Sequence, residues 1–437
     1  MEALFGVLIL IVFCTLISFW EKTRFDTFIT PFGVLAWPYT LVVTMINLGG
    51  VHFGYFPVSL KCILFIILCL VFFLLGGYTV LAFFRGRVDE LFIDKKTHSN
   101  IGYFFDLYRP LFVFLAIISV LSGFVQLRLL ISEYGWLEVG TRNFKIAYGS
   151  GPLGHLMMLS RPAFIFLFAA YLNSRKSYLL IILISLFIVV LFRQVKYHVI
   201  VIFLGGLYLS YYYRIFRFSL KMALIYILII YFLFNISYVV GFSTLGIGHA
   251  YSSKVQAFLF NHFFTYLFGG PIGFSEILND ISYPIGGVRE IFSVPINMYK
   301  VLTGDEQLVT IVHKKWISIS TIYQYFHSSN TFGLFGMTYM YLGKLGSLIY
   351  VFFIGVMAYL FMSLSVLYRR SLGIQLVYVF ILGFLTLSFF GLYFNMLTFV
   401  EISFYMLVIP RMFLMTRQLL KTSLSQLRRE VSVNDQG

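Results

Sequence analysis

LKCILFIILCLVFFLLGGYTVLAFF, residues 60–84, carries a single charge, Lys61, at its start. Crossing the hydrocarbon core of a bilayer, about 30 Å, takes roughly 20 residues of helix. A helix also satisfies all of its own backbone polar groups, which lipid cannot do for it. The run therefore reads as a transmembrane helix, and its neighbours repeat the pattern. Cutting the chain at charged residues and Gly, Pro or Asn clusters yields eleven such segments, near 3–20, 28–48, 60–84, 110–131, 152–173, 177–192, 197–213, 219–241, 346–367, 372–393 and 396–416. The expected fold is all-α, a polytopic transmembrane helix bundle of about 11 spans, with residues 1–437 as one integral membrane domain. The sixth and seventh segments are short and flank the polar knot from Arg193 to His198. They form either a full hairpin or a broken, re-entrant pair.

Composition agrees with that solvent. The chain is 60% hydrophobic and 11% charged, where soluble domains run near 25% charged. Its 52 Phe and 31 Tyr suit lipid and its interfaces. Cys14, Cys62 and Cys69 all lie in apolar runs and read as small buried hydrophobes. Leu4–Trp20 has no basic flank and no small-residue cleavage site, so it is expected to stay as a span.

The net charge of +15 is explained by topology, and nucleic acid is not an expected partner. Lys22 and Arg24, then Arg85, Arg87, Lys95, Lys96 and Arg109, then Arg175 and Lys176 occupy alternate connections. Arg214, Arg217 and Lys221, then Arg369 and Arg370, then the tail from Arg417 continue the set. Short cytoplasmic loops are the basic ones. The N-terminus is then outside and the C-terminus inside, with 417–437 a cytoplasmic tail, and this parity requires an odd number of spans. Residues 242–345, between spans 8 and 9, become a large extracytoplasmic cap loop with short interfacial helices, one near 255–268.

No Gly-rich phosphate loop, metal-spaced Cys/His set or nucleophile elbow is present, which argues against ATP hydrolysis. The informative residues are cations at membrane depth or at the outer face: Arg161, Arg193, Lys196, Arg142 and Lys145. A cation in hydrocarbon costs from about 2.5 kcal/mol upward, so it faces a wet cavity or a counter-charge. Glu133 and Glu138 are the only acids close in sequence. A basic cavity with so few acids would hold an anion, and a diphosphate suits a membrane-resident substrate. The competing reading has Arg161 snorkelling to an interface, and Arg193 and Lys196 on an ordinary surface loop. Candidate bases are His249, His262, His313 and His327, then His155 and His198 beside the cations, and the Glu276/Asp280 pair. Glu401, an acid within the last span, has Arg411 as a possible partner.

Two stretches carry a resemblance. FNHFFTYLFGGPIGF (260–274) resembles the outer-loop segment of Wzy-type oligosaccharide repeat-unit polymerases, the O-antigen and capsular polysaccharide polymerase family. SNTFGLFGMTYMYLGKLGSLI (329–349) resembles that family's entry into a late transmembrane helix. The order of parts is similar too, with Arg193 and Lys196 before the seventh span, a Tyr-rich end to it, and a large outer loop. The likeness covers the second half of the chain, and the first half matches in hydropathy alone. Where the family often has Gly-Ser-Arg, this chain has Gln194-Val195-Lys196, which leaves open whether Arg193 or Lys196 takes the basic role.

The resemblance implies a metal-independent glycosyltransferase without cofactors, located in the bacterial cytoplasmic (inner) membrane. It would polymerise undecaprenyl-diphosphate-linked oligosaccharide repeat units at the outer face. Its partners would be that lipid-linked oligosaccharide, membrane lipids, a chain-length regulator protein and a flippase. His262, Arg161 and Lys196 would be catalytic; Arg142, Lys145, Arg193, Tyr266, Arg289, Asn330 and Tyr339 would bind substrate. An O-antigen ligase-like transferase and a lipid-linked oligosaccharide flippase or transporter are the alternatives.

Overall fold

A computed structural model of the chain describes residues 2–84, 101–193, 195–216, 228–229, 231–232, 234–236, 253–279, 287–304, 309, 316–321 and 328–434. The helices are α1 (Glu2–Phe25), α2 (Pro31–Leu48), α3 (Leu60–Phe83), α4 (Ile101–Tyr134), α5 (Arg142–Ala147), α6 (Gly151–Met158), α7 (Ser160–Ser174), α8 (Ser177–Phe192) and α9 (Lys196–Tyr212). They continue as α10 (Ser253–Asn279), α11 (Val288–Ile291), α12 (Ser293–Thr303), α13 (Gly333–Leu367), α14 (Leu372–Thr386) and α15 (Leu397–Asn434). One short antiparallel ribbon pairs β1 (Ile317–Ser318) with β2 (Ser328–Ser329).

Among the described residues, seven helical segments are long and apolar enough to cross a membrane: α1, α2, α3, α4, α6 with α7, α13 and the first part of α15. α8 and α14 are apolar but shorter. The chain is thus a polytopic helical membrane protein. The expected eighth segment, 219–241, lies largely outside the described residues, as do His249, His313, His327 and Asp280.

Boundaries differ from expectation where helices outrun the bilayer. α4 begins nine residues before position 110 and carries Pro110 inside it. α10 is a single 27-residue helix, where short interfacial pieces were expected. α13 starts at Gly333, well inside the expected loop, and turns at Gly343, whose φ of 69° suits a residue without Cβ. α15 runs unbroken to Asn434, so the expected tail is helical as far as it is described.

α1 shows how the sides are chosen. Val7, Leu10, Cys14, Ser18 and Glu21 are buried at spacings of three and four, while Leu8, Val12, Leu16 and Phe19 are exposed. Both stripes are mainly apolar because the outer solvent is lipid. Glu21, fully buried, accepts hydrogen bonds from the Thr30 and Tyr359 hydroxyls, tying α1 to the start of α2 and to α13.

Lipid supplies little hydrophobic drive between helices, so close approach through small residues matters. α3 and α13 cross in that way. A Cβ on Gly76 would lie 2.0 Å from the Phe352 carbonyl oxygen, and one on Gly355 would lie 2.1 Å from the Phe73 carbonyl oxygen. Gly77 leaves room for the Tyr359 ring. Gly76→Val and Gly355→Val should each destabilise the protein by about 1–3 kcal/mol or more. Thermal unfolding in detergent reads this, against Leu75→Val on the exposed face as the unchanged control.

Candidate functional site

The two stretches behind the resemblance pack on one another. A Cβ on Gly270 would sit 2.0 Å from the Phe389 carbonyl oxygen, and one on Gly273 2.7 Å from the Thr331 carbonyl oxygen. Gly269 leaves space for the Ser329 and Thr331 hydroxyls, which bond to each other at 2.7 Å. Leu334 N and the Tyr39 hydroxyl both donate to the Ser388 carbonyl, at 2.6 and 2.7 Å. The glycines of 269–273 are therefore what lets α10 sit against the start of α13 and the end of α14.

Arg161 lies at the break between α6 and α7. Pro162 has no N–H to continue the helical ladder, and the chain turns at Leu159. The Met157 carbonyl at this break takes side-chain donors: Ser160 Oγ at 2.6 Å, Arg161 Nη1 at 2.7 Å and Ser119 Oγ at 3.1 Å. Arg161 is 1% exposed, which removes the snorkelling reading. Its Nε and Nη2 have no hydrogen-bond partner among the described residues.

Arg193, which ends α8, lies close enough to Arg161 to repel it. The Arg193 guanidinium is laid over Gly149, where a Cβ would come within 3.2 Å of Nε, and Nη1 approaches Met158 Sδ at 3.1 Å. Gly149 holds φ at 97°, so glycine serves both the turn and the space. Gln126 of α4 secures that turn. It accepts from Gly149 N at 3.0 Å and donates to the Ala147 and Ser150 carbonyls at 3.1 and 3.0 Å.

A carboxylate on α15, Glu401, lies near both arginines, with no ion pair to either among the described residues. It attracts both guanidinium groups, and its Oε1 meets His155 Nδ1 at 2.7 Å and accepts from the Tyr405 hydroxyl at 3.0 Å. The expected partners change accordingly: Arg411 is exposed further along α15, and Glu133 and Glu138 are exposed. His198 is buried beside the same two arginines.

A second group of residues gathers around Lys196, the first residue of α9. Its ammonium stands 3.9 Å over the Tyr266 ring and 4.7 Å over Phe234. The His262 ring packs 4.7 Å from Tyr266 and beside Phe258 and Phe234. Burial, then the Lys196 charge, pushes His262 down to about 3. Lys145 faces Lys196, and burial holds it below the usual ammonium range. Burial also raises the Glu276 carboxyl. The remaining expected residues are placed elsewhere or less closely. Tyr339 packs between Phe65 and Phe274, Arg289 is exposed on α11, and Asn330 is half-buried after β2. The Arg142 side chain lies outside what is described.

Membrane-spanning helices with a sequestered cationic centre define the class. Over residues 7–422 the chain matches a family of unknown function, DUF6337, and it belongs to that family. No curated protein and no solved structure matches it.

A histidine kept neutral by burial leaves a signature in acid. Below its ordinary value of about 6.5 the unfolded chain binds a proton that folded His262 refuses until about 3, so stability falls as pH drops through that window. His262→Phe should flatten part of the decline in unfolding temperature between about pH 6.5 and 4. Parallel curves for the two proteins would contradict this burial.

Proposed function

We propose that this protein polymerises polyprenyl-diphosphate-linked oligosaccharide repeat units into a surface polysaccharide. Transfer runs from the lipid diphosphate donor to a lipid-linked acceptor at the outer face of the bacterial cytoplasmic membrane. One observation carries the proposal: a buried arginine in a membrane helix, with two donor nitrogens that have no partner among the described residues, beside a second arginine. A guanidinium offers planar donors that match phosphate oxygens, and a desolvated one binds them strongly. Held on a leaving diphosphate, such a pair would stabilise the charge that develops as the glycosidic bond breaks. The diphosphate linkage itself supplies the energy.

Three further features support the reading. The cationic centre lies among helices long and apolar enough to cross a membrane, which suits a substrate that carries a lipid tail. The two stretches that resemble the polymerase family pack together, and Tyr266 from the first lies on Lys196. In the proposed arrangement of about eleven spans with the N-terminus outside, which the distribution of basic connections favours, the break at Arg161 would lie toward the outer face.

Deletion of the gene should collapse the host's surface polysaccharide to single repeat units while lipid-linked units accumulate. Arg161→Ala should fail to restore long chains at unchanged abundance in the membrane. Loss of attached single units as well would favour a ligase-like transferase, and accumulation of substrate in the inner leaflet a flippase. Normal chain length with Arg161→Ala would refute the role of the arginine.

A further inference from the structure

Transfer to a hydroxyl needs a group to take its proton, and three histidines stand near the cations, of which His198 is only 3% exposed and closed off from an acceptor. His262 is held neutral and weakly basic among Phe258, Phe234 and Tyr266. A base with so low an affinity for protons is poorly matched to neutral pH. His155 is placed differently. It lies on α6, six residues before Arg161, and 61% of its side chain is exposed. The Glu401 side chain that holds it is 15% exposed.

The contact sets the tautomer. An ionised carboxylate only accepts, so Nδ1 of His155 donates to Glu401 Oε1 across 2.7 Å. In the neutral ring Nε2 then carries the free lone pair. Glu401 is itself steadied by the Tyr405 hydroxyl at 3.0 Å and by the charges of Arg161 and Arg193. A carboxylate that orients an imidazole beside a site for the leaving group is the arrangement general-base catalysis uses.

We propose that His155 is the general base of the transfer and that Glu401 is its positioning residue. The assignment rests on the transferase function proposed above. In the step, the acceptor hydroxyl oxygen forms a bond to the anomeric carbon of the donor sugar. The bond from that carbon to the diphosphate oxygen breaks, and its electron pair leaves with the diphosphate toward Arg161 and Arg193. The hydroxyl proton passes to His155 Nε2, which the 61% exposed side chain leaves accessible, and the resulting imidazolium is held by Glu401. Glu401 keeps its contact with Nδ1 throughout and stabilises the imidazolium.

The test uses full-length protein in nanodiscs, with lipid-linked repeat units extracted from a strain lacking the gene. Turnover at saturating substrate is measured beside binding of undecaprenyl diphosphate. His155→Ala should lower turnover by about 10²–10⁴-fold while the Kd for undecaprenyl diphosphate stays within about threefold. Added imidazole should restore part of that turnover. Glu401→Gln should lower turnover by about tenfold or more with binding kept, and imidazole should not restore it. His155→Ala turnover within about twofold of wild type would overturn the assignment. So would a loss matched by equal loss of binding with no imidazole rescue, which marks a structural role. Wild-type protein that binds undecaprenyl diphosphate yet extends no chain would remove the transferase function, and the base with it.

Discussion

A guanidinium in a low-dielectric interior must be met by counter-charge or hydrogen-bond acceptors, and the organisation around Arg161 follows from that requirement. The protein meets it in part. The Met157 carbonyl and the Ser160 hydroxyl take one nitrogen, and Glu401 lends charge from α15. Two nitrogens are left over among the described residues. Arg193 adds a second positive charge at the same place, which costs stability unless an anion joins them. Evolution could have relieved the repulsion with one more acid. Instead the carboxylate that attracts them, Glu401, is tied to His155 and Tyr405.

The rest of the architecture holds these groups in position. Gln126 pins the 147–150 turn, which sets Gly149 under Arg193. The break at Leu159 puts Arg161 in the first turn of α7. Backbone-to-backbone crossings at Gly76 and Gly355, and again at Gly270, give a bundle whose helices cannot drift apart without losing packing on both sides. Glu21 joins three elements at the far end of α1 in the same spirit, as a buried acid with hydroxyl donors.

Much of the fold was legible because lipid writes itself into composition. Long apolar runs such as 60–84 admit few structures other than a spanning helix. Arg161 also stood out, as a cation in an apolar stretch. What the sequence hid was pairing across long separations: His155 with Glu401 is 246 positions apart, and Gln126 looks like one polar residue in an apolar helix. Glu401 was visible as an intramembrane acid, but its partner was sought along its own helix, where Arg411 points away into the surroundings. The start of α13 at Gly333 was hidden by its glycines and polar residues, which read as loop and prove to be sites of close packing against Phe389 and Phe274. Tyr339 sat inside a family-like stretch, yet its ring belongs to the core with Phe65.

The central claim is that the unused nitrogens of Arg161 face an anion brought by a lipid. The most direct measurement is a structure of the protein in nanodiscs with undecaprenyl diphosphate bound. The account predicts a phosphate oxygen at about 2.7–2.9 Å from Nε or Nη2 of Arg161, with Arg193 on the same diphosphate. Diphosphate bound away from both arginines, with a protein carboxylate or carbonyl on those nitrogens, would contradict it.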